Sequence, residues 1–180
     1  MTRNLSATEA KRLGREWRRR TERPLGLLLD RVQTPFNVGS ILRTAAAFRV
    51  THLWLVGDTP TPDHEKTRKT SLGTERFVPW TAVDTVADGA VAARAEGMEI
   101  VGVELAERAV ALAELAFAPG GVCLVLGHED RGLSATGLAV CDHFAYVPLP
   151  GKVGSLNVAT AAAIALYEAR RQEWTQDAPP

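Results

Sequence analysis

Five polar side chains sit in three loops, each of which follows an apolar run. Asn37 and Arg43 belong to LLLDRVQTPFNVGSILRTA (27–45), Glu129 to CLVLGHEDRGLS (123–134), and Ser155 and Asn157 to YVPLPGKVGSLNVATAAA (146–163). Such a set can position hydroxyls, phosphates or an amino acid moiety. It offers no cysteine or histidine nucleophile. His52, His64, His128 and His143 show no metal-ligand spacing, and His128-Glu129 lacks the second histidine of a zinc helix. Arginine is a poor proton acceptor, because its pKa exceeds about 12. Its use beside a reacting hydroxyl is to stabilise the alkoxide that develops there. The spacing of Asn37 and Arg43, read as a helical turn or so, predicts that both face one site.

The elements that must carry these loops alternate. Apolar runs at 25–30, 52–56, 77–80, 99–104, 122–126 and 144–149 predict strands. Between them, Asn37 is expected to cap a helix reaching 48, and Asp84 an alanine-rich helix ending near 97. Ser155 is expected to open a last helix to 174, and Ser6 and Thr8 to cap a first one reaching about 20. Alternation of this kind predicts an α/β fold, a parallel sheet with helices on both faces. In such sheets ligands collect outside the carboxyl ends of the strands, so the three loops predict one composite site.

The chain has 180 residues, 46% of them apolar, enough for one domain with an adequate core. Its formal net charge of zero conceals an asymmetry. Residues 1–23 carry eight arginines and lysines against three glutamates, a net +5, so they read as a basic helical arm ahead of a domain at 24–174 and a frayed tail at 175–180. A basic arm on a mildly acidic body is an electrostatic footprint for nucleic acid, although a solvated amphipathic helix has the same composition. The run 64–76, with Lys66, Arg68, Lys69 and Arg76, is open to the same two readings. Cys123 and Cys141 lie in or beside apolar runs and read as buried thiols in a reducing compartment. No apolar stretch has membrane-spanning length and no signal region follows the basic start, so the expected address is cytoplasmic.

No G-x-G-x-x-G follows the first strand and no phosphate-binding G-x-x-x-x-G-K-[ST] occurs, which argues against a dinucleotide-binding dehydrogenase or a P-loop enzyme. Three other motifs stand in order. They are N-x-G-x-x-x-R-T-A (Asn37, Gly39, Arg43, Thr44, Ala45), L-G-x-E-x-x-G-L-S (Leu126, Gly127, Glu129, Gly132, Leu133, Ser134) and P-x-x-G-x-x-x-S-L-N-V (Pro148, Gly151, Ser155, Leu156, Asn157, Val158). Together they resemble the SpoU (TrmH-type) branch of the SPOUT RNA methyltransferases, over about 27–171. Arg49, Leu149 and Ala159 depart from the pattern, and Leu149 for methionine conserves volume.

The resemblance implies a C-terminal trefoil knot, among the few exceptions to unknotted chains. It implies S-adenosylmethionine as cofactor, a homodimer, no metal, and methyl transfer to a ribose 2′-hydroxyl of RNA, with tRNA ahead of rRNA as substrate. The alternative is a catalytically silent knotted module that binds RNA. By the same resemblance Arg43 is the catalytic arginine, acting with Asn37, Glu129, Ser155 and Asn157. Val103, Glu104, Leu126, Gly127, Val147, Leu149, Ser155 and Leu156 are expected to hold the cofactor. The small residues Ala159, Ala162 and Ala163, with Leu166, are expected to form the dimer face, and the arm to add RNA affinity.

Overall fold

The computed structural model describes residues 2–176. Seven strands form one sheet, β1 (Leu25–Asp30), β2 (His52–Val56), β3 (Trp80–Val83), β4 (Glu99–Val103), β5 (Val110–Ala111), β6 (Val122–Gly127) and β7 (His143–Tyr146). Their order is β3-β2-β1-β6-β4-β7-β5, and every pairing is parallel. The six helices are α1 (Ala7–Arg19), α2 (Pro35–Ala47), α3 (Glu65–Ser71), α4 (Val86–Ala95), α5 (Ala135–Val140) and α6 (Val158–Gln176).

The central strands β1 and β6 are buried at every position, as expected where helices cover both faces. Leu27, Leu29, Leu124 and Leu126 meet Ile41 and Leu42 of α2 and Ala162 and Leu166 of α6 on one face. Leu28, Cys123 and Val125 meet Val86, Ala90 and Ala93 of α4 on the other. The register sets Leu29 beside Leu126 and Asp30 beside Gly127, so the first two motifs leave the sheet side by side.

The structure corrects several local expectations. Thr34, not Asn37, is the residue before α2, and Asn37 lies inside the first turn behind Pro35. Thr85 rather than Asp84 caps α4, because Thr85 and Asp88 bond each other's backbone reciprocally. The third strand begins at Trp80, since 74–77 forms a 3-10 turn, and 65–71 is helical. The last strand stops at Tyr146, ahead of two prolines that cannot donate to a ladder. The short β5 and α5 had no periodicity long enough to announce them. Ser155 does not open the last helix. Asn157 caps it, its Oδ1 accepting from the amides of Ala159 (2.9 Å) and Thr160 (3.3 Å). Residues 175 and 176 continue that helix; the expected tail at 177–180 lies outside the described residues.

Two of the four residues expected to form a dimer face are not available to another copy. Ala162 and Leu166 are fully buried in the chain's own core, and the side of α6 that reaches solvent carries Ile164 and Tyr167. At the far end of the chain, α1 buries none of its residues. Only its last turn docks. Trp17 lies 4.7 Å from Trp174 between ring centroids, and the Trp174 indole donates to Thr21 Oγ1 at 2.9 Å.

The junction between α1 and β1 is fixed by a buried pair on α6. Arg170, 2% exposed, donates to the carbonyls of Phe48, Arg23 and Arg49, each at 2.8 Å, and to Glu173 at 2.7 Å. Glu173 in turn accepts from the amides of Glu22 and Arg23. The guanidinium group thus serves the turn after α2, the turn before β1 and its own counterion. Removing one partner of such a pair strands a buried charge, at a cost of about 3–5 kcal/mol. Arg170→Ala is therefore expected to lower unfolding free energy in urea by at least that amount, and a combined Arg170→Met, Glu173→Leu variant by no less, because it strands the same three carbonyls and the amides of Glu22 and Arg23 as well. A double variant that recovers most of the loss would show that these backbone groups do not depend on the pair.

Candidate active site

The carboxyl ends of β4, β6 and β7 and the start of α6 surround one cavity of about 670 Å³. That is within the range of small-molecule sites, roughly 300–1,000 Å³. Val103, Glu104, Leu126, Gly127, Val147, Leu149, Ser155 and Leu156 all line it, as does Glu129. Because Asn157 caps α6, the two residues before it stay in the loop, and this is what leaves Ser155 on the cavity wall. Tyr146, Val153, Val158 and the loop residues His128, Asp130 and Arg131 are among the other residues of the lining. None of these was expected as a cofactor contact: the loop positions have no periodicity, and Tyr146 and Val158 are the terminal residues of β7 and α6.

Two glycines make the second motif compact. His128 and Gly132 exchange backbone hydrogen bonds at 3.0 and 2.9 Å, closing a tight turn. A Cβ at 127 would run into the backbone of Gly132 and Leu133. One at 132, where φ is +66°, would meet the Glu104 carboxylate. Glu104 accepts from the amides of Leu105 and Leu133, both at 3.0 Å, and so ties the end of β4 to this turn. Asp30, at the end of β1, accepts from the amide of Ser134 at 2.8 Å on the turn's far side.

Glu129 joins the three motifs. Its Oε2 accepts from the Gln33 amide (3.0 Å), and its Oε1 from the Thr34 amide (2.9 Å) and Asn37 Nδ2 (2.8 Å). Asn37 Oδ1 then accepts from Asn157 Nδ2 at 3.0 Å. Partial burial opposes ionisation of Glu129, yet the donors from Gln33, Asn37 and Thr34 outweigh it and hold the carboxyl at about 2.

Arg43 does not join this group. Six residues along a helix is a rotation of about 600°, which sets Arg43 about 120° round α2 from Asn37. The expectation of a shared face therefore fails, because the spacing is nearer two turns than one. Arg43 is exposed, lines no part of the cavity, and makes no hydrogen bond or ion pair among the described residues. The structure thus brings together Asn37, Glu129, Ser155 and Asn157 with the eight cavity residues, and leaves the guanidinium outside. Among the described residues no group of three histidines, cysteines or acids is arranged to hold a metal ion, and no helix is long and apolar enough to cross a membrane.

The fold is shared with a known class of α/β methyltransferases. Residues 24–167 match the SpoU rRNA methylase family, and the chain belongs to that family. The 23S rRNA (guanosine-2′-O-)-methyltransferase RlmB of Acinetobacter baylyi is 35% identical over 152 residues, 84% of this chain and 61% of that protein. The SpoU methyltransferase AviRb from Streptomyces viridochromogenes, solved in complex with AdoMet, superposes with a TM-score of 0.74 at 34% identity, over 84% of this chain and 58% of that one. A structure described for 2-OH methylation of C/U34 on tRNA superposes with a TM-score of 0.73 at 32% identity, over 83% of this chain and 96% of that one. This chain spans less than two thirds of the curated relatives' length.

The Glu129 bridge has a definite pH signature. A carboxyl lowered from 4.5 to about 2 contributes stability that is complete above about pH 4.5 and is lost as pH falls through 2. The stability gap between wild type and Glu129→Gln, followed by urea melts from pH 7 downwards, is expected to hold steady to about pH 4.5 and then close. A gap that is independent of pH across this window would show that the charge of Glu129 does not brace the first motif.

Proposed function

We propose that this chain is an S-adenosylmethionine-dependent RNA methyltransferase that modifies a ribose 2′-hydroxyl. The observation that carries the reading is the coincidence of one cavity with all eight residues expected to hold the cofactor. Its walls suit that group. Leu126, Val147, Leu149 and Leu156 give an apolar wall that would suit a flat adenine, while Ser155 and the carboxylates of Glu104 and Glu129 would be available to hydroxyl or ammonium groups. When bound, the cofactor supplies an electrophilic methyl group. The trefoil knot expected from the family falls on the segments that make this wall, β6, β7 and the loop 147–157.

The protein's own residues then have separable tasks. Glu129 and Asn157 fix Asn37, and through it the first turn of α2, at the cavity rim. Arg43 stabilises the alkoxide of the target ribose, and a substrate phosphate or water accepts the proton. Because Arg43 stands outside the cavity of its own chain, this reading requires a second copy to bring it to the site. We therefore place the homodimer contact on the exposed side of α6, at Ile164 and Tyr167, next to α2. On the RNA side, α1 adds its positive charge to the phosphate contacts. Among RNAs we favour tRNA, because the enzyme described for C/U34 of tRNA is matched over nearly its whole length by this chain.

The direct test is transfer of labelled methyl from S-adenosylmethionine to tRNA and rRNA, with 2′-O-methylnucleosides identified by mass spectrometry. Cofactor binding with no transfer to any RNA would favour the silent module. Arg43→Ala is expected to reduce the rate about 10²- to 10³-fold, the usual consequence of losing one preorganised charge stabiliser, with cofactor affinity within a few-fold of wild type. Wild-type turnover by that variant would remove Arg43 from the chemistry. Tyr167→Asp is expected to give a monomer by light scattering with near-native thermal stability; a dimer that persists would move the interface elsewhere.

A further inference from the structure

The α2 helix divides its functional residues between two faces. Asn37 turns to Glu129 and Asn157. Phe36, Ser40 and Arg43 lie on another face, because a separation of seven residues is about 700° of rotation and returns to within about 20° of the start. Phe36 is 46% exposed, and it takes part in no ring stacking among the described residues. It stands about 10 Å along the helix from Arg43.

The backbone that carries this ring is fixed on both sides. Glu129 holds the amides of Gln33 and Thr34 before it and the side chain of Asn37 after it. The Phe36 carbonyl itself accepts from Thr70 Oγ1 at 3.1 Å and Ser40 Oγ at 2.9 Å. Beneath it, α3 packs directly on α2 at Gly39, where a Cβ would collide with the Thr67 carbonyl and the Thr70 side chain. The same α3 carries Lys66, and it carries Arg68 and Lys69 in exposed ion pairs with Asp63 (3.3 Å) and Glu65 (2.8 Å). Exposed pairs of this kind are weak and can be exchanged for phosphates. A rigidly mounted aromatic ring, half open to solvent on a helix packed against one that bears cations, is the arrangement on which an unpaired base stacks.

We propose that Phe36 is a stacking platform for an unpaired RNA base adjoining the nucleotide whose ribose meets Arg43, with cations of α3 taking the neighbouring phosphates. The inference rests on the RNA methyltransferase reading and extends it to recognition. It makes the substrate a single-stranded or loop segment, since a base inside a duplex cannot leave its own stack to cover the ring. Because Phe36 and Arg43 share one face of one helix, the two move together to whichever copy's cavity the arginine serves.

The test compares wild type with Phe36→Ala, Phe36→Leu and Phe36→Trp. Readouts are KM for total RNA from cells lacking the gene, affinity for a fluorescein-labelled single-stranded RNA of mixed sequence, cofactor affinity by calorimetry, and mass by light scattering. Stacking on one base predicts that Phe36→Ala weakens RNA affinity and raises KM about 5- to 100-fold. Phe36→Leu should behave like the alanine variant and Phe36→Trp like wild type, with cofactor affinity and mass unchanged in all three. RNA affinity and KM within twofold of wild type in Phe36→Ala would overturn the proposal, as would full function in Phe36→Leu. A change of mass in Phe36→Ala would assign this face to a second copy instead. If the wild-type protein neither binds nor methylates RNA, the underlying reading fails before any variant is compared, and this inference falls with it.

Discussion

A single carboxylate, Glu129, determines where the first motif stands relative to the other two. Without it the segment between β1 and α2 would have two backbone amides and an asparagine to satisfy by other means, and the helix carrying Phe36 and Arg43 would lose its fixed origin. The bond costs some desolvation and returns three donors to an ionised acceptor, the stronger kind of hydrogen bond. Asn37 passes the constraint on to Asn157, which donates to it through Nδ2 and starts α6 with its Oδ1. The start of the last helix, the start of the second and the wall of the cavity are thus parts of one hydrogen-bonded chain.

The opposite end of α6 has a different anchor. Arg170 and Glu173 satisfy the loose carbonyls and amides where α1 meets β1 and where α2 turns into β2. A hydrophobic contact could not do this, because the groups concerned are polar backbone in a nearly dry place. The last helix is therefore tied at one end to the site and at the other to the ends of the first and second helices. Its middle supplies Ala162 and Leu166 to the core, and Ile164 and Tyr167 are the large apolar side chains it leaves facing outwards.

The sequence made the fold class and the cavity residues legible for distinct reasons. Buried strands such as LGLLLD and VCLVLG are continuous apolar runs ending in a polar residue or a glycine, and the positions just past them are fixed by the sheet itself. Helix starts were less legible, because several capping residues stand close together. Thr85 prevails over Asp84 because it completes a reciprocal bond with Asp88, and Asn157 over Ser155 because its Oδ1 reaches the amides of Ala159 and Thr160. The angular relation of Asn37 and Arg43 was misjudged because six residues were taken as about one turn, when they are nearer two. Of the small-residue face expected on α6, Ala162 and Leu166 face inwards and Ala159 and Ala163 are half-buried, since alanines suit close packing against the chain's own sheet as well as against another copy.

The strand order also governs how the chain is made. On one side β1 meets β2, which follows it closely, but its other neighbour is β6, about ninety residues further on. At about 5–20 residues per second, the ribosome needs on the order of ten seconds to deliver that partner. For that interval LGLLLD, destined for burial at every position, has an open edge of unpaired amides and carbonyls. β4 emerges earlier but pairs with β6 and β7, so it cannot close the gap. The same insertion of β6 between β1 and β4 that gathers the cavity walls thus makes the nascent chain an aggregation hazard. Early production of the N-terminal half alone would leave that hazard standing.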